Sequence, residues 1–184
     1  MKKSIFTVLC FCFIFTSCAT RAVHNQVSAE YEKGGETYIL DVPVRLQEKG
    51  PCCGSACLGM VMAYWGLSPE AVSALLASPC PREGFSGEEL CGVAASVGYS
   101  ARVYSSRIDD LFGHLSATRP VIVMMGEEGR RHFAVAVGYS KDRSRIILND
   151  PAHGRVWLDS EDFADRWRKA ANFALLAVPQ GQGK

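Results

Sequence analysis

Three cysteines fall within six residues, at positions 52, 53 and 57 of "GPCCGSACLGMVMAYWG". There, a glycine-proline break meets a long apolar run. A helix starting at the break makes Cys53 its first residue, Cys57 a residue one turn inside, and Cys52 part of the preceding turn. Unpaired backbone N–H groups and the helix dipole face a sulfur at that first position and favour its thiolate. Such cysteines have pKa values of roughly 3.5–7.5, against about 8.5 for a free thiol. A nucleophilic thiolate needs a proton carrier, and the histidines are His24, His114, His132 and His153. His132 opens "HFAVAVGY", a strong strand pattern that can aim an imidazole. Asp150 closes the next strand after the turn "YSKDRS", so neighbouring antiparallel strands bring the two together. Nucleophile, base and orienting acceptor then follow in the order Cys, His, Asp.

Each assignment has a plainer rival. Cys53 as a structural thiol ignores its place at the helix start, whereas Cys57 reads best as a small core residue. His153, in the turn after Asp150, is a rival base on a surface position. Asp150 before Pro151 also suits a turn. A zinc site from Cys52, Cys53 and a histidine lacks the CxxC pair that would support it.

The elements that must hold these residues follow from periodicity. "TYILDVPVRLQ" reads as a strand running into a loop. The helix from Cys53 is apolar around almost its whole circumference, which suits a helix central to a core, and Gly66 ends it. Ser68-Pro69 caps and opens a second helix. Ser86 with Glu89 forms a capping-box pattern for a third, through about Val97. Beyond Gly98, "SARVYS", "RPVIVMMG", "RHFAVAVGYS", "SRIILND", "GRVWLD" and "NFALLAVP" predict strands. Helices over about 107–116 and 159–169 interrupt them. Helices first and an antiparallel sheet second is an α+β layout.

The N-terminus reads differently. Lys2 and Lys3 precede an apolar run from Ile5 to Phe15, too short to span a membrane, in the order of an export signal. Phe15-Thr16-Ser17-Cys18 resembles a bacterial lipoprotein processing site, with Phe15 where leucine is usual. The expected organisation is therefore a signal peptide over 1–17, a lipidated Cys18 with a polar tether over 18–37, and a domain over 38–184. Ala19, rather than aspartate, after the lipidated cysteine directs the expectation to the outer membrane, facing the periplasm. Removing two lysines takes the formal charge from +1 to −1. No basic stripe remains, which argues against nucleic acid. Five cysteines stay in the domain: Cys52, Cys53, Cys57, Cys80 and Cys91. In an oxidising compartment, Cys80 and Cys91 are expected to form a disulfide across the turn-rich "PREGFSGEEL".

The stretch from Gln47 through "CGSAC" to "YWG" resembles the papain-like bacteriocin-processing, or double-glycine, peptidases. "HFAVAVGY" resembles their histidine strand and "LNDPAHG" their aspartate turn. "LDSEDFADRW" and "FALLAVP" resemble their closing helix and strand. The resemblance covers about residues 38–179. It implies a papain-like fold, Cys53 as nucleophile, His132 as base and acid, and Asp150 as the orienting group. It further implies that Gln47, six residues before the cysteine, helps form the oxyanion hole. Cys52 departs from the acidic or polar residue common at its position. Many relatives are fused to a transporter, whereas this chain has no such segment. The expectation is a cofactor-independent, envelope-anchored cysteine peptidase. Its partners would be a peptide or protein substrate, the membrane through lipid, and a separately encoded export system. The alternatives are a thiol acyltransferase, since "HF…Y…ILND" also resembles phytochelatin-synthase-like enzymes, and a non-catalytic peptide-binding lipoprotein.

Overall fold

A computed structural model of the chain describes residues 25–26, 37–47, 50, 52–77, 79–127 and 129–181. The expected signal segment and Cys18 lie outside the described residues. In chain order the elements are β1 (Asn25–Gln26), β2 (Thr37–Ile39), α1 (Cys53–Tyr64), α2 (Pro69–Leu76), α3 (Gly87–Ser96) and β3 (Tyr99–Ser105). Then follow α4 (Ile108–Ser116), β4 (Val121–Glu127), β5 (Arg130–Ser140), β6 (Arg145–Asp150), β7 (Gly154–Asp159), α5 (Ser160–Arg168) and β8 (Phe173–Pro179).

Among the described residues the strands form one antiparallel sheet in the order β1-β7-β6-β5-β4-β8-β3, with β2 added against β5. The first half is helical and the second mostly sheet, so the molecule has the expected α+β architecture. β5 buries Phe133 to Gly138 consecutively. Side chains alternate between faces along a strand, so both faces of β5 are covered. α1 packs on β5 and β4, while α5 packs on β4, β6 and β7.

The sequence signals for these elements have visible physical counterparts. The Ser68 hydroxyl accepts the Ala71 N–H at the start of α2. Ser86 and Glu89 exchange both bonds of a capping box at the start of α3. α1 buries Gly54, Ala56 and every residue from Cys57 to Met62, as its all-round apolar sequence requires. The left-handed Gly66 ends it, at φ +90°. The Trp65 indole N–H then donates to the Ala177 carbonyl at 3.0 Å, fixing the end of α1 to β8.

Two segments differ from the sequence reading. The strand expected in "TYILDVPVRLQ", β2, is only three residues long, because beyond Leu40 the chain bonds irregularly. Asn149 Nδ2 and the Arg155 guanidinium, not a neighbouring strand, take up the Val42 carbonyl, at 2.9 and 3.2 Å. Within the expected tether, Asn25 and Gln26 pair with Trp157 and Val156 of β7. Main-chain hydrogen bonds suffice for such a pairing, so it leaves no apolar periodicity to read.

Candidate active site

Cys53 is the first residue of α1, which has no acidic side chain in its first turn to compete for the free N–H groups. The helix start lies hard against β5. A Cβ built on Gly54 would stand 3.1 Å from Leu90 Cδ1 and 3.2 Å from Phe133 Cδ2. Glycine after the nucleophile thus lets the helix tip approach the strand that carries His132.

Strand pairing supplies the next step. β5 and β6 pair with Val135 opposite Asn149, which puts His132 near the end of β6. His132 Nε2 and Asp150 Oδ1 are 2.9 Å apart. The other ring nitrogen is left for Cys53, whose sulfur is hydrogen-bonded to His132 and to the Phe133 and Gly54 N–H groups.

The electrostatics follow from this geometry. Burial pushes the Cys53 thiol up, but the His132 bond, the Phe133 N–H, the His132 charge and the Gly54 N–H outweigh it and hold the pKa below that of an ordinary thiol. Burial likewise works against a charged His132. Its bonds to Asp150 and Cys53, and the negative charge of both, prevail and raise its pKa to about 9. Asp150 is 1 % exposed. Its burial is outweighed by the His132 bond and charge, the Ala152 N–H and His153, which lower its pKa to about 2. Thiol, imidazole and carboxylate thus stand in a row in which each neighbour favours the charged form of the next.

Asp150 is held from several sides. Its Oδ1 also accepts the Ala152 N–H at 2.7 Å, and its Oδ2 lies 3.3 Å from His153 Nδ1. His153 therefore stands behind the carboxylate and not beside the thiol. Sequence reasoning missed this support. A histidine three residues after the aspartate in a tight turn was the available signal.

Gln47 is placed by its main chain, whose N–H donates to the Pro151 carbonyl at 2.8 Å. That bond ties the glutamine to the turn following Asp150. The amide Nε2 donates to the Gly50 carbonyl at 2.9 Å, while Oε1 is buried without a partner among the described residues. Among the described residues, the second Nε2 hydrogen has no acceptor.

The remaining predicted residues separate from the row. Cys57 is fully buried, and burial together with the Cys53 and Asp150 charges pushes its thiol well up. His114 is half-buried, with Nε2 2.8 Å from the Tyr104 hydroxyl. The expected Cys80–Cys91 disulfide is not what the structure shows: both thiols are free. Cys91 sits in α3, where its thiol is pushed up by burial and by Glu88. Cys80 is instead hydrogen-bonded to Cys52.

Residues 41–180 match the model of the Peptidase C39 family. A probable microcin-H47 secretion/processing ATP-binding protein of Escherichia coli is 27 % identical over 149 residues, 81 % of this chain. Those residues are only 19 % of that protein, so the chain spans about a fifth of its length. Among solved structures, a double-glycine-motif protease from an AMS/PCAT transporter, in complex with its leader peptide, is 25 % identical. It superposes with a TM-score of 0.58 over 77 % of this chain and 94 % of that one. The peptidase domain of Streptococcus ComA, a bifunctional ABC transporter, is 22 % identical, with a TM-score of 0.63 over 76 % and 99 %. The second likeness bears on the fold alone, which is papain-like.

Proposed function

The chain belongs to the peptidase C39 family and is a cysteine peptidase of the double-glycine type, and we propose that it cuts peptides through a Cys53–His132–Asp150 triad. The carrying observation is the row itself: a thiol at a helix start, hydrogen-bonded to an imidazole whose far nitrogen lies 2.9 Å from a buried carboxylate.

In this reading the Cys53 thiolate attacks the scissile carbonyl carbon, and the carbonyl electron pair moves to oxygen. The oxyanion is met by the Cys53 backbone N–H and by the Nε2 hydrogen of Gln47 not bonded to Gly50. One such donor is worth about 10²–10³ in rate. Imidazolium His132 passes its proton to the leaving amine, a step worth about 10²–10⁴. His132, now neutral, takes a proton from water as the water attacks the thioester, and Cys53 leaves as thiolate. Asp150 keeps the ring oriented and stabilises its charged form.

The substrate proposed is a peptide with small residues, such as Gly-Gly, before the cut, supported by the likeness to the double-glycine protease. The enzyme is further proposed to be anchored through a lipidated Cys18 at the outer membrane, facing the periplasm, and to serve a separately encoded export system.

Cleavage of a synthetic peptide carrying an internal Gly-Gly, followed by mass spectrometry, tests the mechanism. The wild-type chain should release the two fragments. Cys53→Ala should release none, His132→Ala should lose about 10²–10⁴ in rate, and Gln47→Ala about 10²–10³. Full cleavage by Cys53→Ala contradicts the triad. Ligation of the N-terminal fragment to an added amine, in place of hydrolysis, contradicts the peptidase outcome and marks an acyltransferase.

A further inference from the structure

Two thiols meet beside the nucleophile that the peptidase reaction does not use. Cys52 is the residue before α1, and Cys80 lies in the connection between α2 and α3. Both line a cavity of about 600 Å³, together with Gln47, Ser55 and Leu76, and their side chains are hydrogen-bonded to each other. Among the described residues, Cys57 and Cys91 offer no comparable partner. Cys57 is sealed in the core, and Cys91 answers to its burial and to Glu88. To bond, the two sulfur atoms must close from hydrogen-bond contact to about 2.05 Å.

We propose that Cys52 and Cys80 form a reversible disulfide, which ties the α2–α3 connection to the residue preceding the nucleophile. The reaction is thiol–disulfide exchange with a low-molecular-weight disulfide such as oxidised glutathione. Cys52, as thiolate, attacks one sulfur of the small disulfide, and the first glutathione thiol leaves. Cys80 then gives up its proton and attacks the Cys52 sulfur, expelling the second. One S–S bond breaks and one forms; two electrons and two protons pass from the cysteine pair to the two released thiols. Burial and the neighbouring Cys52 push Cys80 up to about 12, and its proton is taken up as the second glutathione thiol leaves. The closed bond fixes one wall of the cavity and removes Cys52 from competition with Cys53 under oxidising conditions.

The test reads bonds and stability, so it stands or falls separately from the peptidase mechanism. The full chain is equilibrated in a glutathione redox buffer, trapped with N-ethylmaleimide, denatured and digested with chymotrypsin. A cut after Trp65 separates Cys80 from Cys52, Cys53 and Cys57, and fragmentation assigns the linked pair. The expected result is a Cys52–Cys80 bond with Cys53 alkylated. The oxidised protein should melt roughly 5–15 °C above the reduced one, whereas Cys80→Ser and Cys52→Ser should each melt alike in both buffers. A Cys80–Cys91 bond overturns the proposal. So does a Cys80 that stays alkylatable at a poise oxidising enough to block Cys53.

Discussion

At the scale of single residues, charge is concentrated where burial alone would forbid it. Asp150 is almost inaccessible, and a buried carboxylate without partners would take up a proton. The His132 ring, the Ala152 N–H and His153 keep it ionised. Asp150 in turn holds the proton on His132 up to about pH 9. Acid loss of activity should follow protonation of Cys53, at a pH below that of an ordinary thiol. Alkaline loss should follow deprotonation of His132 near pH 9. Asp150→Asn removes the charge that raises His132, so the alkaline limb of kcat/KM should move to lower pH. A pH–rate profile of the variant on a Gly-Gly peptide measures this. An unmoved alkaline limb would show that the limb does not belong to the His132–Asp150 pair.

At the scale of elements, capping and periodicity make most boundaries legible in the sequence. Ser68, Ser86 with Glu89, and Gly66 mark helix ends by local chemistry, which needs no tertiary context. Cys53, His132 and Asp150 were legible for a related reason: a helix start, a strand and the end of the next strand define their relative places. What escaped depends on contacts distant in sequence. Asn149 and Arg155 reach Val42 across more than a hundred residues, and the Cys52–Cys80 contact depends on how the α2–α3 connection folds back. The pairing of β2 with β5 was hidden likewise, since it depends on a close backbone approach at Gly138. A Cβ on Gly138 would strike the Tyr38 carbonyl oxygen and press on Ile39, at the point where the β5–β6 register shifts. Both obstacles lie in backbone, so Gly138→Ala should destabilise the protein by about 1–3 kcal/mol. It should also loosen β2 and the segment leading to Gln47. Chemical denaturation gives the first effect, and faster amide exchange at Ile39 and Leu40 the second. Unchanged stability would mean that β2 yields without cost.

At the scale of the whole molecule, α1 is the common reference. Its sides pack on the sheet, its tip carries the nucleophile, and the sheet strand it touches carries His132. Anchoring is a separate matter: among the described residues no helix is long and apolar enough to cross a membrane, and the proposed tether is the lipid on Cys18. Cys18→Ala should leave the membrane fraction or accumulate unprocessed. Recovery of the unaltered protein wholly in the soluble fraction would contradict the anchor. The proposed mechanism requires Cys53 to be a thiolate paired with imidazolium His132, while Cys57 lies buried and Cys52 is engaged with Cys80. Limiting iodoacetamide applied to the native full chain between about pH 5 and 9, with the label located by fragmentation, measures that pair directly. Cys53 should label first and keep labelling well below the pH at which an ordinary thiol stops, and His132→Ala should slow its labelling at neutral pH. Labelling that begins at Cys52, or a Cys53 rate that tracks an ordinary thiol and is indifferent to His132, would contradict the account.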